Sequence, residues 1–329
     1  GPYGDKAIGQ SVVLPPEKIA QALSDLMKEK EVNVTTQRCG VAIPFASSLM
    51  SVVELPQVSA KQLSVMVPIE ARKYIPVPIS EVVLDWSIIP KSGTKIEVEG
   101  ASQPSAQSEE ASATPIPKID VLVVAIHKDT IARYETIVKQ AGLEASFFEI
   151  EIFSTMRSVL DDSTTPVMIM DIGAASTKLY IVERGLIQAS NTISRGSQDI
   201  TAAMSKSLGV PLERAEVMKR QFGIAGPDKI LTDLIRLTLD YIFEEANRAL
   251  LAFEKKHNKA VSKVMLVGGG AALKGLAEFA KDNFKTETVA GNPFAKVASP
   301  AFLEKVLRET APEFAVSIGV ALRKLAEEE

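Results

Sequence analysis

Apolar residues recur along this chain at two spacings, one near 3.6 residues and one near 2, and the alternation predicts an α/β protein. Glu17–Lys30 carries Ile19, Leu23, Leu26 and Met27 on one helical face, behind the breaker Pro15-Pro16. Cys39–Pro44 and Met50–Leu55 read as strands. Ser59–Tyr74 reads as a helix opened by a Ser59…Gln62 capping box, and Pro68 inside it predicts a kink or break. Val82–Ile89 is a strand holding Trp86, the only tryptophan, and Ile119–Ile126 is a buried strand. Asp129–Gln140 reads as a helix with Asp129 as N-cap and Gly142 just past its end. Phe147–Leu160 reads as a strand running into a helix.

The second half repeats the alternation. Val167–Asp171, Lys178–Glu183 and Leu186–Ile193 are predicted strands. Helices follow at Ser197–Leu208, at Pro211–Phe222 with Pro211 at its first position and Gly223 past its end, and at Pro227–His257. The last has an apolar stripe of Ile230, Leu234, Ile242, Ala246, Leu250 and Phe253. Lys263–Val267 is a buried strand ending in Gly268-Gly269-Gly270, short elements come next, and Glu313–Ala326 closes the chain as a helix. One stretch breaks the pattern. Lys91–Lys118 is dominated by Ser, Ala, Pro, Gly and Glu, which predicts a long mobile loop or linker because so little apolar surface can be buried.

Composition narrows the class. At 329 residues, two or three lobes are expected, and 46% hydrophobic with 24% charged residues is ordinary for a globular core. A net charge of −4 gives no reason to expect nucleic-acid binding. The single cysteine, Cys39, allows no intramolecular disulfide, which suits a reducing compartment, and its apolar neighbours make it a core filler. No apolar run approaches the ~20 residues of a membrane span. Gly1-Pro2 reads as a protease remnant, which implies that the natural chain begins earlier.

Three segments carry candidate chemistry. In the first, the strand Met168–Asp171 delivers a carboxylate to the small-residue turn Gly173-Ala174-Ala175-Ser176, and Thr177-Lys178 opens the returning strand. Small residues let backbone N–H groups approach an anion, and a carboxylate beside them can hold Mg²⁺ through water, which makes Asp171 the candidate metal residue. The same residues also suit an ordinary hairpin turn. In the second, Val264–Val267 runs through Gly268-Gly269-Gly270-Ala271 toward a helix, a site for phosphate or a flat base, or simply a tight strand-to-helix turn. It lacks the Rossmann spacing. In the third, Glu216 and Lys219 lie three apart on a helix, where they could clasp a ribose or form a solvated ion pair.

The order and spacing of these segments, with the closing Pro-Glu-Phe-Ala-Val-Ser-Ile-Gly helix, resemble the actin/Hsp70/sugar-kinase superfamily. The resemblance implies an actin-like ATPase, ribonuclease H-like, two-lobed core with one small inserted β-α-β-β-α domain. It implies ATP or ADP with Mg²⁺ as cofactors. Asp171–Lys178 corresponds to the second phosphate loop and Val264–Leu273 to the adenosine loop, with Gly196 also beside the nucleotide. Glu149–Leu160 and Glu313–Ala326 correspond to the two connecting helices. Glu151 stands where the superfamily has a water-orienting residue, so Glu151 and Asp171 are the implied catalytic pair. The superfamily also opens with a first phosphate hairpin bearing an Asp-x-Gly. None precedes Asp171 here, and Tyr3-Gly4-Asp5-Lys6 resembles the residues that follow it.

The front half chooses a branch. Glu70-Ala71-Arg72-Lys73-Tyr74-Ile75-Pro76-Val77-Pro78 followed by Glu81-Val82 resembles the PilM family of type IV pilus assembly, whose single insert is shared with FtsA. The expected division is a first lobe at 1–46, an insert at 47–146, a connecting helix at 147–165, and a second lobe at 166–329 with a helical subdomain at about 209–257. The resemblance implies a cytoplasmic scaffold, peripheral at the inner membrane through partners, that binds the cytoplasmic tail of a PilN-like protein and other platform proteins; homo-oligomerisation is left open. Arg72, Lys73, Tyr74 and Ile75 are the candidate peptide contacts, with Tyr74 and Ile75 either forming a groove wall or plugging the insert's own core. The alternatives are an FtsA-like filament, against which the acidic end Glu327-Glu328-Glu329 argues, and a small-molecule kinase, for which the insert supplies no evident base.

Overall fold

The computed structural model describes residues 14–31, 34–89, 117–161 and 164–328. The stretch Lys91–Lys118 lies outside them except for Pro117 and Lys118. In chain order the elements are α1 (Pro16–Lys28), β1 (Arg38–Ile43), β2 (Ser48–Pro56), α2 (Ala60–Ala71), β3 (Val82–Ile89), β4 (Lys118–His127), α3 (Lys128–Gln140), β5 (Glu144–Ile150), α4 (Glu151–Val159), β6 (Val167–Ile172), β7 (Thr177–Glu183), β8 (Leu186–Ile193), α5 (Ser197–Leu208), α6 (Leu212–Phe222), α7 (Lys229–His257), β9 (Lys263–Val267), α8 (Leu276–Asn283), β10 (Glu287–Ala290), α9 (Glu304–Thr310) and α10 (Ala315–Glu328). They form two compact units: residues 43–136, and the described residues on either side of that span.

The smaller unit is built on an antiparallel sheet of order β2-β4-β3, with Val53 opposite Val121 and Trp86 opposite Val123. Alternation puts Val53, Leu55, Val121, Val123, Ala125 and Val82 on one face, and α2 covers that face with Leu63, Val67 and Ala71. Each of the valines and leucines contributes roughly 1.5–3 kcal/mol on full burial. The Gln62 side chain accepts from the Ser59 backbone N–H at 3.1 Å, which fixes the start of α2. The helix runs unbroken through Pro68. Of the kink or break expected from sequence, the break does not occur; Ser64, whose carbonyl loses its partner to the proline, is exposed to solvent.

The larger unit holds a two-stranded sheet, β1-β5, and a five-stranded sheet of order β10-β9-β6-β7-β8. β6, β9 and β10 run parallel, while β6, β7 and β8 form an antiparallel meander. Met168, Met170, Ile172, Leu179 and Ile181 line one sheet face and meet Ile200, Met204 and the stripe of α7. That stripe is Leu231, Ile235, Leu239, Ile242, Ala246, Leu250 and Phe253, whereas Ile230 is 66% exposed. Two adjacent stripes compete over the first turns of α7. The buried one is the face that packs against the sheet, and Asp228 fixes the start of the helix by accepting from the N–H groups of Ile230 and Leu231.

Other boundaries shift for local reasons. Asp129 lies within the first turn of α3 instead of capping it, and Pro211 stands just before α6. Ala311–Phe314 forms a 3-10 turn, so the closing helix begins at Ala315. Cys39 is half-buried, not a core residue, and burial pushes its thiol up. No helix among the described residues is long and apolar enough to cross a membrane.

Candidate functional site

β6 and β9 are in parallel register with Asp171 beside Val267, so both strands exit at the same end of the sheet. The glycines after β9 divide into two kinds. A Cβ on Gly268, which has φ of +85°, would lie 2.3 Å from Asp171 Oδ1, and one on Gly270 would lie 2.3 Å from Ile172 Cγ2. These two glycines are required by the crowding of the strand exits. Gly269 is exposed, and a Cβ there meets nothing within 4 Å.

The turn after β6 is closed by Gly173 N–H donating to the Ser176 carbonyl at 3.0 Å. Its carbonyls then cap α5: Ser197 N–H donates to Gly173 O and Gln198 N–H to Ala174 O, both at 2.9 Å. Gly196 permits this approach, since a Cβ there would lie 2.4 Å from Ala174 O. Thr177 is buried and donates to the Arg195 carbonyl at 2.9 Å. Ala174 and Ala175 remain exposed on the turn.

Glu216 and Lys219 do not form a solvated pair. α5 lies against α6, and Lys219 Nζ sits 2.7 Å from Glu216 Oε2, 3.0 Å from Thr201 Oγ1 and 3.1 Å from the Ser197 carbonyl, with its side chain 7% exposed. Thr201 and Arg220 also donate to Glu216. Burial works against charge on Glu216, but the hydrogen bonds from Lys219, Thr201 and Arg220 outweigh it and hold the carboxyl at about 2. Burial likewise pulls the Lys219 ammonium down, and Glu216 counteracts it.

A cavity of 460 Å³ opens among these segments, lined by Ala174, Glu216, Lys219, Gly269 and Gly270, with Ile172, Ser197, Arg220, Leu273 and Lys274 completing much of its wall. All three segments singled out in the sequence therefore meet at one concave site of ligand size. Gly173, Ala175, Ser176, Thr177, Gly196, Gly268 and Ala271 build its loops without lining it.

Asp171 and Glu151 belong to an adjoining cluster. Asp171 and Lys178 are cross-strand partners in the β6–β7 register, which turns both side chains to one face of the sheet. Lys178 Nζ lies 3.7 Å from Asp171 Oδ2 and 2.5 Å from Glu151 Oε1, and all three side chains are about 15–16% exposed. Burial raises the Asp171 carboxyl, with Lys178 opposing and Glu151 reinforcing the shift. Glu151 is the first residue of α4, and α4 is fixed by crossing α10. A Cβ on Gly319 would lie 1.9 Å from the Ser154 carbonyl, and Ser158 donates to the Ala315 carbonyl at 2.7 Å. Buried Glu149 accepts from Arg157 at 2.7 and 2.8 Å and from Arg323 at 3.0 Å. Burial opposes its charge, but these arginines and Ser154 keep its carboxyl below the usual range. Sequence reasoning missed Lys178, Thr201 and Arg220. Lys178 could have been found by counting outward from the turn, since it and Asp171 are equidistant from it.

The four candidate peptide contacts divide. Ile75 is buried in the core of the smaller unit, while Tyr74 is 51% exposed beside a cavity of 60 Å³ lined with Leu49, Met50 and Val123. Arg72 is exposed, and Lys73 pairs with Glu70 at 2.8 Å.

Comparison with known proteins agrees with this architecture. Residues 107–325 match the family model for the type IV pilus assembly protein PilM. The chain is similar to a solved chain of the PilM-PilN type IV pilus biogenesis complex, at 25% identity and a TM-score of 0.77, covering 97% of this chain and 89% of that one. It is 23% identical over 305 residues to the cell division protein FtsA of Neisseria meningitidis serogroup B, covering 84% of this chain and 72% of the relative. To FtsA of Bacillus subtilis it is 24% identical over 193 residues, spanning 51% of this chain and 44% of that protein.

Proposed function

The chain belongs to the type IV pilus assembly protein PilM family and has the actin-like fold, and on that premise we propose that it is a nucleotide-binding scaffold of the pilus assembly platform at the inner membrane. The observation that carries the nucleotide reading is the 460 Å³ cavity on which the phosphate-type turn, the glycine loop and the Glu216 helix converge. The ligand is ATP or ADP. The Gly173–Ser176 turn meets its phosphates through Ala174, Gly269 and Gly270 meet its base, and Glu216 its ribose hydroxyls. Lys219 acts through Glu216, which it holds ionised as an acceptor. Asp171 and Glu151 stand at the phosphate end. The partner is the cytoplasmic tail of a PilN-like membrane protein, through which the chain reaches the membrane. Its likeness to the solved PilM-PilN complex over nearly its whole length supports that half of the reading.

Gly269 supplies a clean test, because a side chain there enters open space without strain. Gly269→Trp fills the cavity mouth and leaves the thermal midpoint unchanged. Titration with a fluorescent ATP analogue then gives at least ~10-fold weaker binding than the parent, a difference of about 1.4 kcal/mol. Equal affinity in parent and variant sinks the cavity assignment. In the same series a PilN-type tail peptide binds the parent, and failure to bind it with and without nucleotide removes the scaffold half.

A further inference from the structure

The superfamily resemblance implies Mg²⁺ at Asp171, but the residues present do not fit it. The carboxylate is crowded on one side and faces a cation on the other. Oδ1 faces the backbone of Gly268 so closely that a Cβ there would lie 2.3 Å away, and Oδ2 faces Lys178 Nζ at 3.7 Å. The second acidic group, Glu151, is in direct contact with the same ammonium at 2.5 Å. The ammonium is not a wandering surface charge. Its backbone is opposite that of Asp171 in the sheet register, and its side chain is only 16% exposed. A divalent ion bound to these carboxylates would have to share their oxygens with a fixed cation that already lies 2.5 and 3.7 Å from them, and like charges that close repel strongly at low exposure.

We propose that the Lys178 ammonium is the resident cation of the Asp171–Glu151 carboxylate pair, so that this chain takes a nucleoside phosphate without a divalent metal. The second clause rests on the nucleotide reading above; the first does not. The lysine keeps two carboxylates from facing the phosphates uncompensated, the task that a bound metal would otherwise perform, and Asp171 and Glu151 in turn hold the ammonium in position.

The test uses Mn²⁺ alone as probe, followed by electron paramagnetic resonance on the full chain without nucleotide. The parent shows no site occupied at submillimolar Mn²⁺, and Lys178→Met gains one that Lys178→Arg does not. A parent that binds Mn²⁺ in a manner lost in Asp171→Asn overturns the proposal, and that arm stands even if Lys178→Met does not fold. With a fluorescent ATP analogue, parent affinity in excess chelator and in excess Mg²⁺ agrees within about twofold, while Lys178→Met loses roughly tenfold in chelator and recovers with Mg²⁺. A tenfold gain by the parent on adding Mg²⁺ also overturns it. A parent that binds nucleotide under neither condition defeats the cavity reading instead, and the Mn²⁺ arms still decide the role of Lys178.

Discussion

Lys219, buried on the wall of the cavity, and Lys178, half-buried outside that wall, both pair with carboxylates, and they solve opposite problems. Lys219 meets one carboxylate, a hydroxyl and a carbonyl, and the carboxylate it meets is further bonded by Thr201 and Arg220. Charge is balanced there, and Glu216 stays ionised down to a pH of about 2. Lys178 must serve two carboxylates, and it approaches Glu151 more closely than Asp171. The less well-served carboxylate is pushed up by burial. Burial alone therefore does not decide the state of a carboxylate; the number of donors per acid does. The first arrangement is a structural lock between α5 and α6. The second shares one ammonium between two carboxylates.

The largest effect is expected on breaking the lock. Lys219→Met removes one partner of a buried pair, a change that costs 3–5 kcal/mol where nothing compensates. Glu216 keeps Thr201 and Arg220, so urea unfolding at pH 7 should show a loss near the low end, about 3 kcal/mol. A loss below ~1 kcal/mol would mean that Glu216 is solvated in spite of its contacts.

Lys178→Met is expected to cost less, about 2 kcal/mol at pH 8, because Asp171 can answer by taking up a proton. The two sites then differ in sign with pH. The folded pKa of Asp171 lies above its unfolded value, so its contribution to stability is full below about pH 4 and is lost as pH rises through the raised value. Removing Lys178 takes away the charge that opposes this shift and widens the loss upward. The deficit of Lys178→Met should therefore shrink between pH 8 and pH 5. Glu216 behaves in reverse. Its contribution is present above about pH 4.5 and is lost as pH falls toward 2, so the deficit of Lys219→Met should be flat from pH 8 to 5. Parallel pH profiles for the two variants would erase the distinction between lock and cluster.

These two sites also show what a sequence can and cannot disclose. The strand, small-residue turn and returning strand at Val167–Glu183 are legible because apolar strand runs and small-residue turn chemistry are local properties. The glycine loop is legible as a motif, but its division into two crowded glycines and one open one depends on β6 lying beside β9, which is a tertiary fact. The Glu216–Lys219 spacing predicts a shared helix face without saying whether that face meets water, and α5 supplies the answer. The buried stripe of α7 is hidden from the sequence for the same reason, since Leu231 and Ile230 are equally apolar and only packing on the sheet distinguishes them. Tyr74 and Ile75 are adjacent and both large, yet one faces solvent and the other the core, a division that only the packing of the smaller unit decides.

A third lysine–carboxylate pair sets the lower end of the comparison. Lys73 meets Glu70 at 2.8 Å, as close as the buried pairs, but its side chain is 66% exposed. Water screens such a contact almost completely, and two flexible side chains lose rotamer freedom in making it. Lys73→Met should therefore leave the unfolding midpoint where the parent has it at every pH from 5 to 8. The same exposure makes Lys73 and its neighbour Arg72 available to a partner. Arg72→Glu with Lys73→Glu should preserve folding, yet it reverses the local field beside exposed Tyr74. Steering acts on the association rate, so the double variant should associate more slowly with an acidic tail peptide and faster with a basic one, by a few-fold at low salt and much less at high salt. Stopped-flow anisotropy with a PilN-type tail separates rate from affinity. An unchanged rate at low salt would mean that the peptide docks away from Arg72 and Lys73, and Tyr74 would then be exposed for some other reason.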